Sequence, residues 1–280
     1  MFHFDLLQWL VDRLTELLLV LSSPIHPFID LIGTTPLHFT TQNAIVHHAW
    51  AVMVGAADLS LGLVLVVGTI QIMYGQSVGA LRMPIGQFVA KVLFTALLIH
   101  LSAFIGEQLL LLNNLLCEAV RGNVQDFILK VNDGQLFSNG QLLIVAIVLV
   151  ILFCITFFRI IFQCIKRVVR FNLLFILSGP ALLTSAHPYT ASVCSMWARM
   201  YIATIFEQFL QFLTFGLGFQ FLIATKQTGL TGLLLATAML SMTAEIPGLL
   251  SRFTAVTGGN AREGIGALAG TAVKAVTLLV

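Results

Sequence analysis

Between Leu59 and Leu81 the chain carries no formal charge. At 1.5 Å per helical residue that run reaches about 34 Å, more than the hydrocarbon core of a bilayer. Leu142–Phe158 is a second charge-free run, and Phe171–Ala198 is a third, interrupted by Gly179-Pro180 and His187-Pro188. One water-facing core could not hide so much apolar chain. Charged residues make up 9% of the 280, where soluble proteins carry roughly a quarter, and the mean hydropathy is +0.98. A soluble enzyme, a disordered chain and a disulfide-stapled secreted module are thereby excluded. The expected fold is an all-α integral membrane protein with about five to six transmembrane helices, one of them re-entrant, plus an N-terminal amphipathic interfacial helix.

Three regions follow from the pattern of charge and proline. In residues 1–42, Asp5, Gln8, Asp12 and Glu16 recur at spacings of three, four and four, which places them on one helical stripe. A span would bury three carboxylates, so this helix is expected to lie on the membrane surface, before a linker broken by Pro24, Pro27 and Pro36. No basic segment precedes it, and no cleavable signal peptide is expected. Residues 43–250 form the polytopic domain. Its spans are expected within 49–75, over 86–112, 141–163 and 198–225, and over 227–246 ending at Pro247-Gly248; 117–140 is read as a polar loop and 171–196 as re-entrant. Residues 251–280 are a short Gly- and Ala-rich tail. Lys166, Arg167 and Arg170, read as one short loop, set that loop on the cytoplasmic side by the positive-inside rule. The N-terminus and the 117–140 loop are then extracytoplasmic, and the three basic tail residues favour a cytoplasmic tail.

No catalytic constellation stands out, and no enzymatic activity is expected. Gly258-Gly259 and Gly264-Ile-Gly266 lack the lysine and the strand–helix context of a phosphate-cradling loop. His26, His38, His47 and His48 match no metal-ligand spacing, and Cys117, Cys154, Cys164 and Cys194 show no CxxC, so neither metal nor cofactor is expected. A net charge of +2 gives no reason to expect sequence-specific nucleic-acid binding. The informative residues are polar groups in or near spans, which are costly in hydrocarbon unless they meet a partner or a watery cavity. Asp58 either caps a helix start or faces a conduit, while Lys91 and Arg159 can snorkel to the headgroups. Glu107 resembles Glu207 in this respect but lies closer to a membrane interface. Glu207, Gln208 and Gln211 lie together on an apolar helix, with Glu207 and Gln211 one turn apart on one face. Asp58, Glu107, Glu207, Gln208 and Gln211 are therefore the candidates for a conduit or a subunit interface. Small-residue pairs such as Ala51/Gly55, Gly75/Gly79 and Gly266/Gly270 favour close helix packing and oligomerisation.

Two stretches carry a family resemblance. One is Met83-Pro84-Ile-Gly-Gln-Phe-Val-Ala-Lys91, running through Leu101-Ser102 to Asn113-Asn114. The other is Arg167-Val-Val-Arg170-Phe-Asn-Leu-Leu-Phe-Ile-Leu-Ser-Gly-Pro180, followed by Trp197-Ala-Arg199 and Phe206-Glu-Gln-Phe-Leu-Gln211. This order of basic pair, proline, tryptophan and glutamines over about 50–250 resembles the TrbL-like polytopic membrane proteins of type IV secretion and conjugal transfer systems. It departs from them in a short 117–140 loop and a nearly absent soluble tail. The resemblance implies an inner-membrane channel subunit that oligomerises with other secretion proteins, while cytoplasmic ATPases drive DNA or protein cargo through the assembly. On that reading Arg159, Lys166, Arg167 and Arg170 anchor the cytoplasmic face. Pro180 would break a helix, Trp197 would anchor an interface, and Glu207, Gln208 and Gln211 would face neighbouring subunits. For Arg167 and Arg170 the positive-inside signal is a sufficient alternative. The rival reading is a solute transporter, or the membrane subunit of one, using Glu107 and Glu207 to couple ions; a membrane enzyme acting on lipids ranks below both.

Overall fold

A computed structural model describes residues 32–77, 85–132, 143–187, 190–228 and 230–255. Among these residues there is helix and no strand. A single 3-10 turn at Leu37–Phe39 leads into α1 (Ala44–Ser77), followed by α2 (Ile85–Asn132), α3 (Leu143–Ile176), α4 (Ser178–Leu183), α5 (Ala191–Thr228) and α6 (Leu230–Ala255). Among the described residues, four helical stretches are long and apolar enough to cross a bilayer: Ala44–Gly75, Ile85–Val120, Ala191–Gly218 and Leu234–Arg252. The protein is thus an all-α, multi-pass membrane protein. The expected N-terminal stripe of Asp5, Gln8, Asp12 and Glu16 lies outside the described residues, as do the Arg82-Met-Pro84 turn and the tail beyond 255.

Residues 117–132 are not a loop. They continue α2, whose 48 residues make it about 72 Å long. Glu118, Arg121, Asp126 and Lys130 are polar, but polarity does not stop a helix; no proline occurs between Ile85 and Asn132. Nor do Lys166, Arg167 and Arg170 form a loop, since α3 runs unbroken through them to Ile176. Straight-chain basic residues are good helix formers, and the first real obstacle is Pro180. Its ring would clash with the carbonyl four residues back, and residue 176 is where α3 ends.

Within the segment expected to re-enter, 171–176 complete α3, 191–196 begin α5, and one short helix, α4, lies between them. At about 9 Å, the six residues of α4 cannot span. Gly179 sits where a Cβ would press on the Met53 carbonyl oxygen at 3.2 Å, so its missing side chain lets α4 lie directly on the backbone of α1. Pro247, expected to end the last span, lies inside α6, which continues to Ala255.

The helices pair in a fixed register. α1 and α2 form an antiparallel hairpin, with the Trp50 indole N–H donating to Ser102 Oγ (3.0 Å) and Gly68 leaving room for the Phe88 ring. α5 runs parallel to α2, with Tyr201 beside Gly106 and Gln208 beside Asn113. α3 runs antiparallel to α5: Trp197 Nε1–H donates to the Leu174 carbonyl (3.0 Å) and Gln211 to Gln163 (3.0 Å). α6 folds back on α5 through Thr243 to Thr214 (2.9 Å) and the Gly218–Leu240 contact. At the level of Trp50, an aromatic column of Phe175, Phe171, Tyr201 and Trp197 stacks at centroid separations of 5.1–6.1 Å and joins α1, α3 and α5.

Candidate functional site: a buried polar layer

Where the middles of α3 and α5 meet the second half of α2, the apolar packing gives way to a layer of buried polar groups. Asn113, Arg167, Glu207, Gln208, Gln211 and Thr243 are each at most 2% exposed, and Thr35 is 3% exposed. Polar groups so deep need partners, and those partners are what the local sequence places there. On α5, Glu207, Gln208 and Gln211 occupy successive positions around one side. On α2, Asn113 and Asn114 face them in parallel register.

Gln208 is the hub. Its carbonyl oxygen accepts from the Thr35 hydroxyl and from Asn113 Nδ2 (3.0 Å), and its Nε2 donates to Asn114 Oδ1 (3.3 Å). Asn114 clasps the Thr35 backbone in both directions, accepting from its N–H (2.9 Å) and donating to its carbonyl (3.0 Å). The Thr35 hydroxyl in turn accepts from Arg167 Nη2 (3.1 Å). A non-helical residue upstream of α1 is thus tied to α2, α3 and α5 at once. A second branch runs from Gln211 Nε2 to Gln163 Oε1, and from Gln163 Nε2 to the Ala244 carbonyl (2.8 Å), which ties in α6.

The layer carries charge. Arg170 Nη1 donates to Glu207 Oε2 at 3.0 Å; the Glu207 side chain is 3% exposed and that of Arg170 is 44% exposed. Arg167 also lies within electrostatic range of the Glu207 carboxylate. One guanidinium, that of Arg170, thus bonds the buried carboxylate, and a charge-assisted hydrogen bond offsets part of its desolvation. Arg170 and Glu207 open onto a groove of about 360 Å³ that is also lined by Thr204, Pro247, Gly248 and Ser251. Asn113 Oδ1, Gln211 Oε1 and Arg167 Nη1 have no hydrogen-bond partner among the described residues.

The other sequence candidates lie apart. Glu107 accepts from Gln42 Nε2 (2.8 Å) at an exposed position, and Asp58 pairs with His100 on the outside of the α1/α2 hairpin. Arg159 and Lys166 are exposed on α3, with the Lys166 ammonium 5.6 Å from the Phe162 ring centroid. Pro180 sits at the start of α4, and Trp197 is built into the aromatic column inside the bundle. Thr35, Asn113, Asn114, Gln163 and Thr243 were not anticipated as site residues. Two adjacent asparagines in an apolar helix were a usable signal; a threonine in a Pro-flanked linker was not. No group of three metal-ligating side chains occurs among the described residues.

The layer contains acceptors, donors and one ion pair, but no activated nucleophile; its evident capacity is to lock helices together. No protein family, curated protein or solved structure matches this chain, so a functional reading rests on this geometry.

Proposed function

We propose that this chain is a structural channel subunit of a conjugation-type (type IV) secretion machine in the cytoplasmic membrane, with no enzymatic activity of its own. It would scaffold other membrane components and ATPases around the path of a DNA or protein cargo. The observation that carries this reading is α2. At about 72 Å it is more than twice the hydrocarbon thickness and offers an arm outside the membrane for other proteins to grip. The polar layer supports the same reading, because its members are bonded to fixed partners as a brace would require. Affinity purification from native membranes in mild detergent, with mass spectrometry, tests it. Co-purification of secretion ATPases and envelope proteins is expected; recovery of the chain alone would overturn the proposal.

One observation favours a transporter instead: the paired Arg170 and Glu207 border a groove beside Pro247. In an ion-coupled transporter Glu207→Gln abolishes uptake, whereas in a scaffold subunit it weakens assembly. If both uptake and assembly survive, Glu207 serves neither role.

A further inference from the structure

Asp58 on α1 and His100 on α2 face away from the bundle. Asp58 Oδ2 lies 3.4 Å from His100 Nε2, and the side chains are 41% and 61% exposed. The other imidazole nitrogen, Nδ1, contacts the Ala96 carbonyl at 3.0 Å; a carbonyl only accepts, so Nδ1 carries a proton. Along α2, His100 lies between Lys91 and Glu107, about 13 Å and 10 Å from them, inside a stretch apolar enough to span. Around the pair the outward surface is hydrocarbon: Leu59, Leu63, Leu97, Leu101 and Phe104 are all exposed. Lipid would leave the carboxylate's remaining acceptor sites unmet, so groups at such depth face protein or water.

An independent feature lies on the same face. Ala51, Gly55, Asp58 and Gly62 form one exposed stripe of α1, and a Cβ at Gly55 or Gly62 would meet nothing within 4 Å. The bundle itself makes no use of these glycines, unlike Gly68 and Gly179, which are pressed on by Phe88 and by the α1 backbone. Glycine weakens a helix, and an open glycine stripe is what close approach by another helix needs.

We infer that this face of the α1/α2 hairpin, centred on Asp58 and His100, is where a second copy of the chain docks within the membrane. The face is self-complementary. A two-fold axis along the helices sets α1 of one copy against α2 of the other, and brings each Asp58 opposite the other copy's His100. The inference does not depend on the secretion reading.

The test uses two differently tagged copies of the full chain, each lacking its native cysteines, co-expressed and oxidised in native membranes. One carries Gly62→Cys and the other Leu97→Cys, which the antiparallel register places at equal depth across the axis. A disulfide joining the two tags is expected, at least five-fold above the Gly62→Cys and Leu234→Cys control pair. Asp58→Asn in both copies should lower it several-fold at equal expression, and the swap Asp58→His/His100→Asp should return it. Three results would overturn the proposal: cross-linking no higher than the control, capture of a different polypeptide, or indifference to Asp58→Asn.

Discussion

Replacing Gln208 with leucine removes the amide at the hub of the polar layer while nearly keeping its volume. Asn113 Nδ2 then loses its acceptor, and the Thr35 hydroxyl loses the oxygen to which it donates, although it keeps Arg167. Asn114 retains both bonds to the Thr35 backbone and is not stranded. A buried group left unsatisfied costs about 1–3 kcal/mol, and inter-helix hydrogen bonds in membranes fall near the low end of such ranges. Two stranded groups thus give an expected loss of about 2–4 kcal/mol. Asn113→Leu alone should cost no more than about 1 kcal/mol, because Gln208 keeps Thr35 and Asn114, and Asn113 Oδ1 has no partner to lose among the described residues. The double variant strands only the Thr35 hydroxyl, so it should be more stable than the sum of the singles by at least about 0.5 kcal/mol. Reversible SDS-induced unfolding in mixed micelles reads all four proteins. A Gln208→Leu variant within about 0.5 kcal/mol of the parent, or a strictly additive double, would refute this account of the layer.

Arg170→Met should destabilise by about 2–4 kcal/mol in the same assay, somewhat below a fully buried pair because Arg170 is half exposed; adding Glu207→Gln should recover more than half. Gly106→Ala would drive a methyl into the Tyr201 hydroxyl and the Phe175 ring, costing about 1–3 kcal/mol, and Tyr201→Phe should relieve part of that loss. Tyr201→Phe alone should be close to neutral, since its buried hydroxyl has no partner among the described residues; a large loss there would expose a missed hydrogen bond. Gly179→Leu should displace α4 from α1, read as faster proteolysis at Thr184–His187, whereas Gly55→Leu should leave that cleavage unchanged.

Much of the fold was legible because hydrophobic runs set by bilayer thickness survive without tertiary information. The apolar stretches of α1, α2, α5 and α6 overlap the spans expected from hydrophobic length, a few embedded charges notwithstanding, and Pro180 ended a helix by a local steric clash. The misreadings share one cause, the equation of charge with loop. Glu118 to Lys130 are polar yet helical, and Arg167 is not a cytoplasmic loop residue but a buried one. Its buried guanidinium donates to Thr35, 132 positions away, and no local pattern announces such a partner. Glu207, Gln208 and Gln211 could be picked out because three polar residues on one side of an apolar helix demand an explanation. Asp58 and Glu107 raised the same demand, but the fold answers it elsewhere, with His100 and Gln42. Which polar groups meet is decided by helix register, and register is not written in composition.

The secretion reading requires that α2 cross the bilayer and continue out of it as one helix. Spin labels at Gly86 and Glu118, read by double electron–electron resonance on the protein in lipid nanodiscs, test it directly. Thirty-two residues of continuous helix predict one narrow distance distribution near 48 Å, with the Glu118 label accessible to a water-soluble relaxation agent. A broad distribution well below 40 Å, or a Glu118 label shielded by lipid, would contradict it.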